Sequence, residues 1–327
     1  MSAHMRRSEP VTSSDSLVER ALAGDQRALS RLATRLENEP SSSGSIIDQI
    51  YSRTGRAHVL GITGAPGAGK SSLLAGLAGE ISCSGKRIAI IAVDPTSPKS
   101  GGATLGDRIR MTEAALDPNV FVRSLASRGH SDGLAPAVAN LSLLFDAAGY
   151  DYVAIETIGA GQDQLEVADL VHTTVLVQIP GTGDSVQLLK AGAMEIADVY
   201  VVNKADLPGA KRVSRDLRSI LGLAPRNESS WDPPIVQTSV TEQTGFDQLL
   251  SAVQRHWSYL EKHDLLSARR ERIAKSELKR AVGRQVRLNL LDGTAAGLIG
   301  AVASRSLTPD EAARQLIRAI SKSYDDR

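Results

Sequence analysis

The chain has 327 residues, enough for one large domain or for one domain with a smaller appendage. Its 38 Lys+Arg stand against 37 Asp+Glu, so the bulk charge gives no reason to expect nucleic acid or an anionic membrane as partner. A 42% apolar fraction excludes disorder throughout, and 3% aromatic content requires a core of Leu, Ile, Val and Ala. The single cysteine, Cys83, excludes an intramolecular disulfide and a cysteine-built metal site, so any metal is held by oxygen in a reducing compartment.

Met1 to Ser16 has Arg6-Arg7 but no apolar run behind them, and is expected to be a disordered tail without a secretory signal. From Asp15 to Asn38, Leu17, Leu22, Leu29, Leu32 and Leu36 recur at helical spacing, with Gly24-Asp25 as a break between two helices. Glu39 to Ser45, with Pro40 and a serine run, is expected to be a loop. Short β-rich runs then alternate with helical patterns: Val59–Ile62, Ile88–Val93, Val120–Arg123, Tyr152–Glu156, Thr174–Ile179, Val199–Val202 and Ile235–Thr238. Such alternation of near-continuously apolar runs predicts an α/β fold with a mostly parallel sheet flanked by helices, whose ligands sit at the carboxyl ends of the strands.

A helical pattern covers Phe246 to about Lys262 and a charged one Asp264 to Arg287. Thr308, Pro309 and Glu311 announce a last helix with a capping box. The expected domains are an N-terminal tail and helices (1–45), a nucleotide-binding domain (46–262) and a C-terminal helical arm (263–327). The longest uncharged apolar stretch, Gly293 to Ser304, is shorter than the roughly 20 residues that span a bilayer, so a soluble, cytoplasmic protein is expected.

Gly64-Ala65-Pro66-Gly67-Ala68-Gly69-Lys70-Ser71 follows the first run and opens a helical pattern, which satisfies G-x-x-x-x-G-K-[ST] in its required strand–loop–helix context. Backbone N–H groups of such a loop turn inward around phosphates, the helix places its positive end there, Lys70 reaches the β- and γ-phosphates, and Ser71 ligates Mg²⁺. Ser72 belongs to the same first turn. Glu156-Thr157-Ile158-Gly159 places an acid at a strand end with a glycine three residues later, as at a junction where a carboxylate holds Mg²⁺ through water and a glycine amide senses the γ-phosphate.

Asn203-Lys204-Ala205-Asp206 follows Val199–Val202 and matches the N-K-x-D signature that reads guanine. Its aspartate accepts from the base N1–H and N2–H₂, a donor pair that adenine lacks. Thr238-Ser239 and Val240, closing the next strand, would supply contacts to the guanine oxygen. Asp94, ending the second strand, and Asp107, in the glycine-bearing segment Ser100 to Arg108, suit either a mobile switch near Mg²⁺ or ordinary solvated or capping carboxylates. His58, His130, His172 and His256 have no metal-ligand spacing and are expected to be structural or solvated.

These blocks together resemble the MeaB/ArgK-type GTPases, the G-protein chaperones associated with methylmalonyl-CoA mutase. The likeness also uses Ala92-Val93-Asp94-Pro95-Thr96-Ser97-Pro98, Pro180-Gly181-Thr182-Gly183-Asp184, and Met194-Glu195-Ile196-Ala197-Asp198 running into Asn203. The resemblance implies a Mg²⁺-dependent GTPase that binds GTP and GDP. It implies a cobalamin-dependent acyl-CoA mutase as partner, whose cofactor loading the GTPase gates and which it protects. No cobalamin would be bound by this chain itself, and a homodimer joined by the C-terminal arm is implied. It places Asp94, Asp107 and Glu156, with Ser71, around Mg²⁺ and the γ-phosphate, and assigns catalysis to Lys70, Asp94, Asp107 and Glu156. Asn203, Lys204 and Asp206 become base readers. Asp163-Gln164 where the family usually has Ser-Glu, and Val240 where it has Ala, are departures. A metal-insertion GTPase would need Cys/His ligands, and a protein or amino-acid kinase an acceptor site; neither is visible in the sequence.

Overall fold

A computed structural model describes residues 14–94, 114–126, 136–159, 166–181, 194–223, 230–291 and 295–325. The chain divides into two compact units, the first ending at Arg270 and the second beginning at Glu271.

Among the described residues of the first unit the seven strands are β1 (His58–Gly64), β2 (Ile88–Asp94), β3 (Val120–Ala126), β4 (Tyr152–Glu156), β5 (Thr173–Gln178), β6 (Val199–Val202) and β7 (Ile235–Gln237). They form one sheet in the order β3-β2-β4-β1-β5-β6-β7, and every neighbouring pair is parallel. The continuous apolar runs have the cause expected for parallel sheets: β1, β2, β4, β5 and β6 are buried along their whole length, whereas β3 and β7 at the edges are partly exposed. The chain passes from β4, on one side of β1, to β5, on the other. The end of β1 therefore lies at the reversal of strand order where ligands of open α/β sheets bind.

The helices of this unit are α1 (Ser14–Leu22), α2 (Gln26–Asn38), α3 (Pro40–Ile50), α4 (Lys70–Cys83), α5 (Pro136–Ala147), α6 (Ala210–Leu221) and α7 (Phe246–Lys262). Strand alternation divides the core into two layers. Leu60, Ile62, Ile90, Ala154 and Val201 pack with Leu73, Leu74 and Leu77 of α4 and Leu249 and Val253 of α7. Val59, Ile91, Val153 and Ile155 pack on the other face with Leu141 and Phe145 of α5 and, from the N-terminal helices, Leu29, Leu32, Leu36, Ile46 and Ile50. The N-terminal helices are thus a layer of the sheet's own core. The expected break at Gly24-Asp25 is present: Gly24 takes φ +96°, and Asp25 caps α2 by accepting from the Arg27 and Ala28 N–H groups. The loop expected over Glu39 to Ser45 is instead helix α3, because Pro40 occupies the first helical turn, where its missing N–H costs nothing, and Ile46 and Ile50 have the core to enter.

At the amino ends of the strands three of the four sequence-noted histidines meet, and the fourth, His130, lies outside the described residues. His58 Nε2 lies 2.6 Å from Thr173 Oγ1, which lies 2.7 Å from His256 Nδ1, and His256 Nε2 is 3.2 Å from Asp198 Oδ1. His172 Nδ1 accepts from Val59 N–H. Every link is satisfied if His58 donates to Thr173, Thr173 donates to His256, and His256 donates to Asp198. Burial, followed by the neighbouring His172 and His256, holds His58 well below the ordinary imidazole value of 6.5. Burial opposes the charge on Asp198, but the hydrogen bond and electrostatic attraction of His256, the Arg269 charge and the Thr174 N–H outweigh it and hold its carboxyl below 3.8.

The second unit is helical: the part of α8 (Leu266–Leu291) beyond Glu271, then α9 (Ala296–Ala303) and α10 (Pro309–Asp325). Sequence alone did not single out α9. The capping box at α10 is half formed. Glu311 N–H donates to Thr308 Oγ1 at 3.3 Å, while the Glu311 carboxylate accepts from Arg314 and Gln315 further along the helix. On α8, Leu278 and Val282 stand one turn apart and are 66% and 54% exposed. Among the described residues no helix is long and apolar enough to cross a membrane.

The histidine chain makes folding pH-dependent with a definite sign. The unfolded chain takes a proton on His58 near pH 6.5 and the folded one does not, so His58's contribution is complete above that pH. It is lost as pH falls from there towards the lower folded-state value, at up to about 1.4 kcal/mol per pH unit for one proton. Thermal unfolding should show a midpoint flat above neutrality and falling below about pH 6.5, and His58→Gln, which takes up no proton, should flatten that fall. Asp198 contributes in the same sense only once pH drops through the carboxylate range below 3.8.

Candidate functional site

Every strand end that the sequence marked as chemical lies at the carboxyl edge of the sheet. β1 ends at Gly64, five residues turn, and α4 begins at Lys70 with Gly69 in the left-handed region ahead of it. The first position tolerates no side chain: a Cβ on Gly64, whose φ is +144°, would stand 2.3 Å from the Val177 carbonyl oxygen of β5. Ala65 is half-buried, Pro66 and Gly67 are exposed at the tip, and Ala68 is buried. The loop's backbone thus lies open at its tip and closed at its root.

Lys70 and Ser71 are buried at the first turn of α4, and Ser72 beside them is half-buried. The Lys70 ammonium donates to Gly64 O at 3.0 Å, Ala65 O at 3.2 Å and Ile158 O at 3.4 Å, which ties the loop to the segment after β4. There Gly159, at φ +88°, comes so close that a Cβ would stand 2.0 Å from Gly64 O and 2.6 Å from Lys70 Nζ. The Thr157 hydroxyl donates to Thr63 Oγ1 at 3.1 Å and its N–H to Ile62 O, fastening this junction to β1. Nothing in the sequence pattern pointed to that threonine pair.

Ser71 Oγ donates to Glu156 Oε1 at 2.7 Å. Sheet register decides where the second acid goes. Ala92 of β2 is opposite Glu156 of β4, and Asp94, two residues on, emerges on the same face, which is the face covered by α4. Both carboxylates are buried. A serine hydroxyl with two carboxylates at a phosphate-binding loop is an all-oxygen donor set, the kind that suits Mg²⁺. Asp107 lies outside the described residues.

The Asn-Lys-x-Asp turn is welded to the loop. Asn203, buried at the end of β6, donates through Nδ2 to Ala68 O at 2.9 Å and accepts at Oδ1 from the Thr238 hydroxyl at 3.1 Å. Lys204, at the unusual φ of 56°, donates to Gly67 O at 3.0 Å. Asp206 is exposed at the edge, with Oδ1 accepting from Ser239 Oγ at 2.6 Å. That serine is held in turn by Glu242 N–H and by paired backbone bonds with Thr244. The sequence suggested base contacts for Ser239; the structure gives its hydroxyl the further task of aiming the Asp206 carboxylate. Val240 is half-buried beside it.

A central parallel strand running through a glycine loop into a Lys-Ser helix, with a strand-end acid beside it, is the architecture of P-loop nucleotide hydrolases. The Asn203–Asp206 turn on the same edge marks the guanine-reading branch. The sequence profile "Methylmalonyl Co-A mutase-associated GTPase MeaB" matches residues 28–295, and the chain belongs to that family of GTPases. It is 42% identical to a putative GTPase of Pyrococcus horikoshii over 312 residues, 94% of this chain and 98% of that protein. It is 33% identical to the GTPase ArgK of Escherichia coli over 321 residues, 94% and 97% of the two chains. A mitochondrial methylmalonic aciduria type A homolog of Caenorhabditis elegans is 32% identical over 228 residues, 68% of this chain and 57% of that protein. A crystal structure described as LAO/AO transport system kinase superposes with a TM-score of 0.69 at 27% identity, covering 96% of this chain and all of that one.

Ser239→Ala removes the donor that aims Asp206 while leaving the backbone of the turn. Loss of one such hydrogen bond, about 1 kcal/mol, should weaken GDP binding roughly fivefold in calorimetric titration, with the fold unchanged by circular dichroism.

Proposed function

We propose that this GTPase is a chaperone of a cobalamin-dependent acyl-CoA mutase, methylmalonyl-CoA mutase or a relative, which gates loading of the mutase's cofactor and protects it. The observation that carries the reading is the family match over residues 28–295, whose description joins a GTPase to methylmalonyl-CoA mutase. The relative named for methylmalonic aciduria supports it. Cobalamin is the mutase's cofactor in this reading, bound there and not by this chain. The proposed setting is the cytoplasm.

Within the site, Lys70 neutralises the β- and γ-phosphates, and the Gly159 amide, one residue beyond the carbonyl that Lys70 holds, reports whether a γ-phosphate is present. Ser71, Asp94 and Glu156, with Asp107, would hold Mg²⁺. The ion, when bound, withdraws charge from the phosphoryl oxygens and so stabilises the transferring group. Asn203 fixes the base-reading turn against the phosphate loop, and Asp206 discriminates guanine from adenine because its carboxylate, once covered by the wrong base, would find neither of the two donors that guanine offers. No described residue of this edge is an arginine positioned on the loop, so slow intrinsic turnover that rises when the mutase docks is expected.

Asp206→Asn should shift preference from guanine towards xanthine nucleotides, and Lys70→Ala should abolish turnover, both read by titration and phosphate release. Equal affinity of the unaltered protein for ATP and GTP would overturn the guanine assignment. Single-turnover hydrolysis should accelerate on saturation with the cognate mutase. An unchanged rate with a verified complex would overturn the chaperone reading.

We further propose that the chain is a homodimer joined through its C-terminal helices. The support is the exposed Leu278–Val282 pair on α8 and Ile317 on α10, 59% exposed, apolar residues of a charged arm that a second copy would cover. Light scattering of the full chain at tens of micromolar should give the dimer mass. A chain ending at Arg270, which keeps the first unit whole, should be monomeric and bind GDP with near-unchanged affinity.

A further inference from the structure

The sequence block Met194-Glu195-Ile196-Ala197-Asp198 carries an acid for which the nucleotide site has no use, since Asp198 lies at the amino end of β6, opposite the nucleotide edge. It is nonetheless heavily engaged. Its carboxylate accepts from Thr174 N–H at 2.8 Å, from His256 Nε2 at 3.2 Å, and from Arg269 at 2.6 Å on one oxygen and 3.3 Å on the other. Its backbone carbonyl accepts from Trp231 Nε1 at 2.7 Å. Arg269 belongs to the first turn of α8. The next residue, Arg270, donates to Gly55 O at 3.1 Å, and Gly55 is held in turn by Asp146, whose carboxylate accepts the N–H groups of Gly55, Arg56 and Ala57.

Two successive arginines therefore grip the approaches to two strands, Asp198 immediately before β6 and Gly55 three residues before β1. The opposite ends of those strands are Asn203, which braces the phosphate loop, and Gly64, where that loop begins. β6 is four residues long, roughly 13 Å at the usual rise, and is buried throughout, as is β1. Close-packed strands of this kind are little compressible and transmit strain along their length. A third connection is α7. It is capped by Gly245, beside the Ser239–Thr244 pair that positions the base-reading loop, and carries His256 to Asp198. It ends at a turn in which Asp264 takes the left-handed φ of 54° and Leu265 N–H bonds to Leu260 O, just before α8.

We propose that Arg269 and Arg270 form a clamp that couples occupancy of the guanine-nucleotide site to the order of the α8 root, through β6, β1 and α7. Nucleotide binding at the carboxyl edge fixes the loops at Gly64 and Asn203, which fixes the strands beneath them and so the two acceptors that the arginines hold. By thermodynamic reciprocity, a clamp that closes more firmly with nucleotide bound must also strengthen nucleotide binding by the same factor. Arg269 and Arg270 are positioning residues in this scheme and touch no nucleotide. The inference uses guanine-nucleotide binding only and is independent of the mutase partner.

The test is hydrogen exchange of the backbone over residues 264–270 in the full chain, with and without GDP and Mg²⁺, beside calorimetric titration of GDP. In the unaltered protein, GDP should slow exchange of the Leu265 and Arg269 amides by about fivefold or more, the lower end of ordinary allosteric couplings. Arg269→Gln should remove that protection and weaken GDP binding by a matching factor. Arg270→Gln, an exposed change that leaves the Asp198 socket whole, should reduce both in proportion and keeps the test decisive if Arg269→Gln does not fold. Equal exchange of the unaltered protein with and without GDP would overturn the proposal, and so would full retention of the protection in either folded variant.

Discussion

The phosphate loop is held by backbone meeting backbone at a distance that no side chain would permit. The carbonyl of Gly64 is approached by Gly159 on one side, while Gly64 itself lies against the carbonyl of Val177 on the other, with hypothetical Cβ contacts of 2.0 Å and 2.3 Å. Because the main chains of β1, β4 and β5 converge here, the Lys70 ammonium can reach carbonyls of both the loop and the segment after β4. A substituent at Gly159 would push its segment away from the loop that Lys70 also holds, and one at Gly64 would push the end of β1 away from β5. The root of the loop and the segment after β4 are therefore adjacent by construction.

A second convergence is built from side chains. Asn203 spends its carboxamide on the protein, donating to the phosphate loop and accepting from Thr238, and it thereby makes the phosphate and base halves of the site one body. Asp206 remains at the edge with its direction set by Ser239. A carboxylate on a short turn between two braced residues has little conformational freedom left to lose on binding. The amino edge of the sheet is organised by the opposite means, a buried relay of hydrogen bonds from His58 through Thr173 and His256 to Asp198. One edge is open and polar for a ligand, while the other is sealed and joined to the first turn of α8.

Sequence by itself determined the seven strands, the parallel sheet and the nucleotide chemistry. Burial on both faces leaves nearly unbroken apolar runs, and phosphate and guanine recognition demand fixed residue types at fixed short spacing: Gly64 to Ser71 and Asn203 to Asp206. It also marked the break at Gly24-Asp25 and the helix start at Thr308, because turn and capping chemistry are local. Tertiary structure decided what depends on residues far apart in the chain. Pro40 to Ser45 looks like a loop until Ile46 and Ile50 are given a core to enter, and the N-terminal helices look like an appendage until they are seen to complete one face of the sheet. Three histidines with no common spacing meet because parallel order brings the starts of β1 and β5 together and α7 lies across them; the partnership of Asp198 with Arg269, 71 residues later, arises in the same way. Local patterns record what each segment needs from its immediate neighbours, but which distant segments become neighbours is fixed only by the order and register of the sheet.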